Sequence, residues 1–178
     1  MYTKQNFQIA KIAAKQDSRF ALSAVHVTPT ETRVCDSVRL VRVKVKQDSE
    51  FEPFLMSAAQ ALDAAKHAGK TGAVFAPDTH VNGHVTVQAG PVTLTADKPK
   101  GRFPEIDRVI PKVDETWHKV TFDIKLLREL LEIHAGSGKH ATMYFKDVKS
   151  PMLMETTKGD GPDVQSALMP YRDDNARY

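Results

Sequence analysis

The period of apolar and polar residues changes several times along this chain, and each change marks an expected element. Near the N-terminus, Phe7, Ile9, Ala10, Ile12 and Ala13 fall on one side of a helix, while Lys4, Lys11 and Lys15 fall on another. Residues 18–27 then read as a strand, and Pro29 with its polar neighbours as a turn. In 33–46, Val41, Val43 and Val45 alternate with Arg42, Lys44 and Lys46, which predicts a strand with one buried and one basic face. The order then repeats. Pro53 sits where a first helical turn tolerates a missing N–H, and 54–67 reads as a helix with Phe54, Leu55, Ala58, Leu62 and Ala65 inward. Gly69 and Gly72 end it, and strands are expected at 73–76, 84–88 and 92–96, with Asn82-Gly83 as a hairpin turn.

A third round begins with a strand at 119–121 and a helix at 122–134. Its expected inward set is Phe122, Leu126, Leu127, Leu130 and Leu131, with Asp123 placed to cap it and Gly136 and Gly138 to stop it. Lys125, Arg128, Glu129 and Glu132 are expected on its wet side. Strands follow at 140–145, 152–155 and 164–169, with a turn at Gly159-Asp-Gly-Pro162. Helix-plus-strands units recurring at uneven spacing exclude a fixed-period solenoid and βαβ alternation. They predict an α+β fold with helices on one face of antiparallel sheets.

Composition narrows the function classes. The chain has 178 residues and a formal charge of +3, which permits a polyanion partner without demanding one. The lone cysteine, Cys35, excludes an intrachain disulfide and fits a reducing cytoplasm. No apolar run is long enough to span a bilayer. The 7 histidines lack His-Glu-x-x-His spacing, and no phosphate loop or dinucleotide fingerprint occurs. His80 and His84 flank the expected hairpin, where turn and strand roles explain them without a metal. Asp36, Glu105, Asp107 and Asp123 fall at turn and cap positions, where carboxylates serve the backbone. The expectation is therefore a protein that is not an enzyme and carries no cofactor or metal.

Several segments resemble one family in that family's own order. Val34-Cys-Asp-Ser-Val-Arg-Leu40 resembles the Thr-Asp-Gly-His-Arg-Leu run in the middle domain of bacterial DNA polymerase III beta subunits, the sliding clamps. Gly101-Arg-Phe-Pro-Glu-Ile-Asp-Arg-Val-Ile-Pro-Lys112 is similar to the Phe-Pro-Asp-Tyr-x-x-Val-Ile-Pro segment that closes that domain. Phe122-Asp-Ile-Lys-Leu-Leu-Arg-Glu-Leu-Leu131, Ser150-Pro-Met-Leu-Met-Glu155 and Ala167-Leu-Met-Pro-Tyr-Arg172 resemble the last domain and its Met-Pro-Met-Arg end. The usual Gly-His of the first motif is Ser37-Val38 here.

The resemblance implies a shortened homologue: a domain over 1–112, made of halves at about 1–48 and 49–112, then a third half over 113–178. In the family such halves form a ring around duplex DNA, with helices lining the hole, and a groove binds a short apolar peptide of the polymerase or clamp loader. Carried over residue by residue, the groove comprises Leu22, Arg39, Leu40, Pro104, Arg108, Val109, Met169, Pro170, Tyr171 and Arg172. Leu22, Leu40, Val109, Met169, Pro170 and Tyr171 offer adaptable apolar surface, and the arginines a cationic rim. Candidate phosphate contacts, blind to base sequence, are Lys4, Lys11, Lys15, Lys66, Lys70, Lys125 and Arg128.

The implied function is tethering a polymerase or related protein to duplex DNA, in the cytoplasm and at the nucleoid. The alternative is a peptide-binding adaptor or decoy that does not encircle DNA, and an unrelated α+β enzyme is the third class. An unmated third half implies a homo-oligomer, either a tetramer that closes a ring or a dimer.

Overall fold

Short strands and amphipathic helices alternate in the computed structural model, which describes residues 2–14, 20–45, 50–68, 78–81, 84–97, 101–156 and 163–171. The chain forms two units, Met1–Ile110 and Pro111–Tyr178. The class is α+β with antiparallel sheets throughout the described residues, as the sequence predicts.

In the first unit, α1 (Lys4–Gln8) continues as a 3-10 turn over Ile9–Ile12. Thr3 N–H donates to Asn6 Oδ1 at 2.9 Å, and the buried Asn6 amide donates to Thr32 Oγ1 at 3.2 Å and to the Val43 carbonyl at 2.9 Å. The helix start is thereby tied to the sheet beneath it. That sheet contains β1 (Ala24–Val27), β2 (Glu31–Cys35), β3 (Leu40–Lys44) and β4 (Phe54–Ser57), in the order β3-β2-β1-β4. Next, α2 (Ala58–His67) starts at Ser57, whose hydroxyl accepts from Gln60 N–H, and packs beside α1. A second sheet follows, with β5 (Asp78–Val81), β6 (His84–Ala89) and β7 (Val92–Asp97) in that order.

Both faces of the first sheet are covered. Toward the helices, Val25, Val34 and Met56 join Phe7, Ala61 and Val85 in one large core. On the other face, Ala24 and Leu55 are covered by the segment 101–110 through Phe103 and Ile106. Phe103 stacks on His26 with ring centroids 4.9 Å apart. Burial, reinforced by nearby Arg33, holds the His26 pKa below the ordinary 6.5, so a neutral ring meets the phenyl face at pH 7.

The described residues of the second unit form one helix, α3 (Ile124–Ala135), and a sheet of β8 (Thr142–Tyr144), β9 (Met152–Thr156) and β10 (Val164–Leu168) in the order β10-β9-β8. Asp123 caps α3, accepting from Lys125 N–H at 2.7 Å and Leu126 N–H at 3.2 Å, as expected. Phe122, Leu127 and Leu130 pack on Met152, Met154 and Leu168. His134 is buried, and each ring nitrogen lies 2.8 Å from a hydroxyl, Nδ1 from Thr156 and Nε2 from Ser166.

Several sequence expectations need correction. Residues 54–57 are strand, not helix, because β4 pairs with β1 (Val25↔Met56, Val27↔Phe54) and the helix begins at the Ser57 cap. Residues 20–23 form a 3-10 turn ahead of β1. In β3 the valine face is only partly covered: Val43 packs on the core, but Val41 is exposed because β3 is an edge strand. Leu126 and Leu131 are exposed, not inward. Residues 119–121 are not strand, although Thr121 C=O accepts from Tyr171 N–H at 2.7 Å. The expected strand at 73–76, the Asn82-Gly83 and Gly159–Pro162 turns, and Gly69 and Gly72 lie outside the described residues.

Candidate binding groove

The first motif folds as a tight turn between β2 and β3. Asp36 Oδ1 accepts from Val38 N–H at 3.1 Å and Arg39 N–H at 2.7 Å, while Oδ2 accepts from Arg39 Nε at 2.9 Å. Asp36 N–H in turn donates to Arg39 C=O at 3.1 Å. Ser37 has φ 75°, a left-handed conformation that costs an L-residue about 1–2 kcal/mol. Strain of this kind concentrates at functional turns. Its effect here is to project Val38, which is 89% exposed.

Beside this turn the segment 101–110 makes a 3-10 turn at Ile106–Arg108. The two segments enclose a depression of about 350 Å³ lined by Leu22, Arg39, Leu40, Pro104 and Val109, together with Cys35, Ser37, Val38 and Ile106. Five residues singled out from the sequence therefore converge. Cys35, Ser37, Val38 and Ile106 are not among the groove residues that the resemblance carries over. A signal existed for Val38, a large apolar residue in a polar turn, whereas Ile106 reads as one more core residue. Arg108 is exposed and pairs with Glu105 at 3.0 Å rather than lining the depression. Met169, Pro170 and Tyr171 lie at the end of the second unit, where Pro170 is buried and Met169 and Tyr171 are 54% and 61% exposed. Arg172 lies outside the described residues.

The hydrogen bond from the Arg39 side chain, followed by that from its backbone, holds the Asp36 carboxyl well below its ordinary 3.8, at about 2. A folded-state pKa below the unfolded one means the turn's contribution is complete above the ordinary value and is lost as pH falls through about 2. An NMR titration of the Asp36 carboxyl carbon should therefore inflect near 2, and Arg39→Ala should move that inflection back toward 3.8. An inflection already near 3.8 in the unmodified protein would show that the turn does not hold the carboxylate.

The side of the basic strand is now assigned. Arg42 Nη1 and Arg33 Nη1 each lie 3.5 Å from Asp107 on the 101–110 segment, and Leu40 packs against the same outer cluster. Arg42 and, by strand alternation, Lys44 thus occupy the groove face, opposite the helices. Lys4, Lys11 and Lys66 are exposed on the helical side of the first unit, while Lys15 and Lys70 lie outside the described residues. On α3, Lys125 and Arg128 are exposed beside Glu129 and Glu132, and Arg128 pairs with Glu132 at 3.4 Å. Among the described residues no group of His, Cys, Asp or Glu is placed to hold a metal, and no helix is long and apolar enough to cross a membrane.

No family model and no curated protein sequence matches the chain. Solved structures do match. The DNA polymerase III beta chain of Streptococcus pneumoniae superposes with a TM-score of 0.73 at 17% identity, over 95% of this chain and 47% of its own. The beta sliding clamp of C. crescentus, solved with polyethylene glycol in its proposed beta-motif tethering region, gives 0.74 at 14%, over 94% and 49%. The Pseudomonas aeruginosa clamp bound to griselimycin gives 0.70 at 16%, over 90% and 45%. The chain spans about half the length of these proteins, and over that span it has the fold of a DNA polymerase III beta sliding clamp.

Proposed function

We propose that this chain is a non-enzymatic clamp-like protein that associates with duplex DNA through its helical face and holds a polymerase or related protein through a short apolar peptide. The observation that carries the reading is the depression behind the Asp36 turn. It is built from residues that the clamp resemblance picks out, on the face of the sheet away from the exposed lysines of the helices. A pocket of this size accepts one or two apolar side chains, and the Arg39 rim suits a carbonyl or carboxylate acceptor. In the resembling family the chain end contributes as well, and Met169, Pro170, Tyr171 and Arg172 are the residues proposed for that part.

The second reading, an adaptor or decoy that engages clamp-binding peptides without encircling DNA, draws on α3. Two bases face two acids along its exposed side and leave no net charge for phosphate. Under either reading the protein works in the cytoplasm, and a closed ring needs several copies.

Cys35 lines the depression and is the chain's only thiol, so it serves as a built-in reporter. A peptide ending in an apolar pair is expected to bind in the micromolar range, about −8 kcal/mol. At ten times its Kd it should slow iodoacetamide alkylation of Cys35 by about tenfold, because about nine-tenths of the sites are then occupied. Mass spectrometry of the timed reaction gives the rate. An alkylation rate indifferent to peptide up to millimolar concentration would remove the groove reading.

A further inference from the structure

Val38 is the most exposed large apolar side chain among the described residues, at 89%, and it stands on a turn that holds it still. Asp36 Oδ1 accepts the Val38 backbone N–H at 3.1 Å, and the left-handed Ser37 sets the direction in which the side chain projects. The side chain itself is β-branched and has little χ1 freedom. An apolar group this rigid and this wet loses little entropy when a ligand covers it. Val109, 73% exposed, stands on the separate segment 101–110 and lines the same depression. Leu22, Leu40, Pro104 and Ile106 make the rest of the lining mostly aliphatic.

The charges at the rim are already matched within their own segments. Arg39 donates to Asp36 through Nε, at 2.9 Å, and through Nη2, while Arg108 Nε lies 3.0 Å from Glu105 Oε2. An incoming carboxylate would compete with these internal acids, in water and under salt screening, so it gains little. A neutral peptide carbonyl can use guanidinium N–H groups that Asp36 does not occupy.

We propose that Val38 is the specificity-determining residue of the depression: together with Val109 it closes over an aliphatic side chain of the bound peptide, and the rim takes an uncharged segment in preference to an acidic one. The assignment rests on the peptide-groove reading and fixes the class of segment that the groove selects. Leucine suits such a lining. Asparagine, of similar shape, brings an amide whose desolvation the aliphatic walls do not offset.

The probe is the neutral peptide acetyl-Gly-Ser-Gly-Leu-Leu-amide, titrated calorimetrically into the full chain. Val38→Thr keeps the shape of the side chain and replaces one methyl by a hydroxyl, and it should raise the Kd about fivefold. Val38→Ala should raise it about tenfold. Both variants should melt within about 2 °C of the parent, because the side chain is exposed in the free protein. A peptide with Asn-Asn in place of Leu-Leu should bind about tenfold more weakly or worse, and one with Glu in place of Ser no more tightly. The parent Kd should change less than about twofold between about 0.1 M and about 1 M salt, as the Debye length falls from about 10 Å to about 3 Å. Direct contact is read from a double-mutant cycle. Val38→Ala combined with alanine in place of one peptide leucine should depart from additivity by about threefold or more. Val38 variants that bind as tightly as the parent, additive losses at both leucines, or a preference for the glutamate peptide overturn the assignment while the groove stands. A parent chain that binds none of the peptides, with Cys35 alkylated at an unchanged rate, removes the groove reading and the assignment together.

Discussion

A chain with Lys4, Lys11 and Lys66 all changed to glutamate is expected to lose two to three orders of magnitude in affinity for random duplex DNA. The three lysines are exposed on the helical side of the first unit, and reversing them moves the formal charge from +3 to −3, two units per replacement. Each phosphate contact releases counterions and contributes about 0.9 to the slope of log affinity against log salt, so three lost contacts lower the slope by about 2.7. At 0.1 M salt that corresponds to roughly 500-fold. Fluorescence anisotropy with several unrelated 30-base-pair duplexes at four salt concentrations measures both quantities. The informative control is Arg42→Glu with Lys44→Glu. These lie on the groove face and carry as much charge per residue, yet they should change DNA affinity by no more than about twofold, a shift of about 0.4 kcal/mol. Equal losses from the two faces, or a marked preference among the duplexes, would contradict a helix-side contact with the phosphate backbone.

Gly90→Ala is expected to be the most damaging single methyl in the first unit. Gly90 begins the two-residue loop between β6 and β7, where Ala89 pairs with Val92, and it has φ 59°. Glycine fills that position in type II′ hairpins because it alone reaches positive φ without strain. Space is the second obstacle: a Cβ here would lie 2.6 Å from the carbonyl oxygen of His67, the last residue of α2. The oxygen belongs to the backbone and a Cβ is fixed rigidly by its own backbone, so no side chain can swing aside. The hairpin must shift off the helix end or the helix must fray, and the expected loss is about 3 kcal/mol. For a chain of this size that is a fall of about 10 °C in Tm. Thermal melts followed by circular dichroism decide it, and a change below about 2 °C would mean that the hairpin moves freely against α2.

Much of this architecture is legible in the sequence because burial and period agree. The exposure of Lys4 and Lys11, the strands β6, β7, β9 and β10, and the Asp123 cap all follow from local patterns. The failures have specific physical causes. Phe54, Leu55 and Met56 are buried on both sides of a sheet, so they form a continuous apolar run whose period cannot separate strand from helix, and the preceding proline tipped the reading the wrong way. Leu126 and Leu131 look inward because a helical wheel assumes neighbours on both flanks, whereas α3 has a sheet beneath it and no second helix beside it among the described residues of its unit. Residues 119–121 carry strand chemistry, but a strand is a property of pairs. His134, the last position of the expected helix, is a buried bridge to Thr156 and Ser166, partners 22 and 32 residues away that no local window contains. In the groove, Leu22, Arg39, Leu40, Pro104 and Val109 were accessible only through the family resemblance. They converge from three stretches of chain, and composition gives no reason to group them.

The sheet that is covered on both faces has two cores of unequal strength. The inner one draws on both sheets and both helices, while the outer one consists of Ala21, Ala24, Leu55, Phe103 and Ile106 beneath the segment 101–110. Asp107 holds that segment to Arg33 and Arg42 only through long contacts of 3.5 Å. Such a cover can lift as a local event, at a free energy well below that of global unfolding, and leave the remaining sheet intact. One wall of the depression, Pro104, Ile106 and Val109, leaves with it. The proposed recognition surface is therefore less stable than the domain that carries it. Inhibitor screens run near the melting temperature would sample a protein that is folded by every spectroscopic measure and has no groove, and ligands selected there would report on the closing of the cover as much as on affinity.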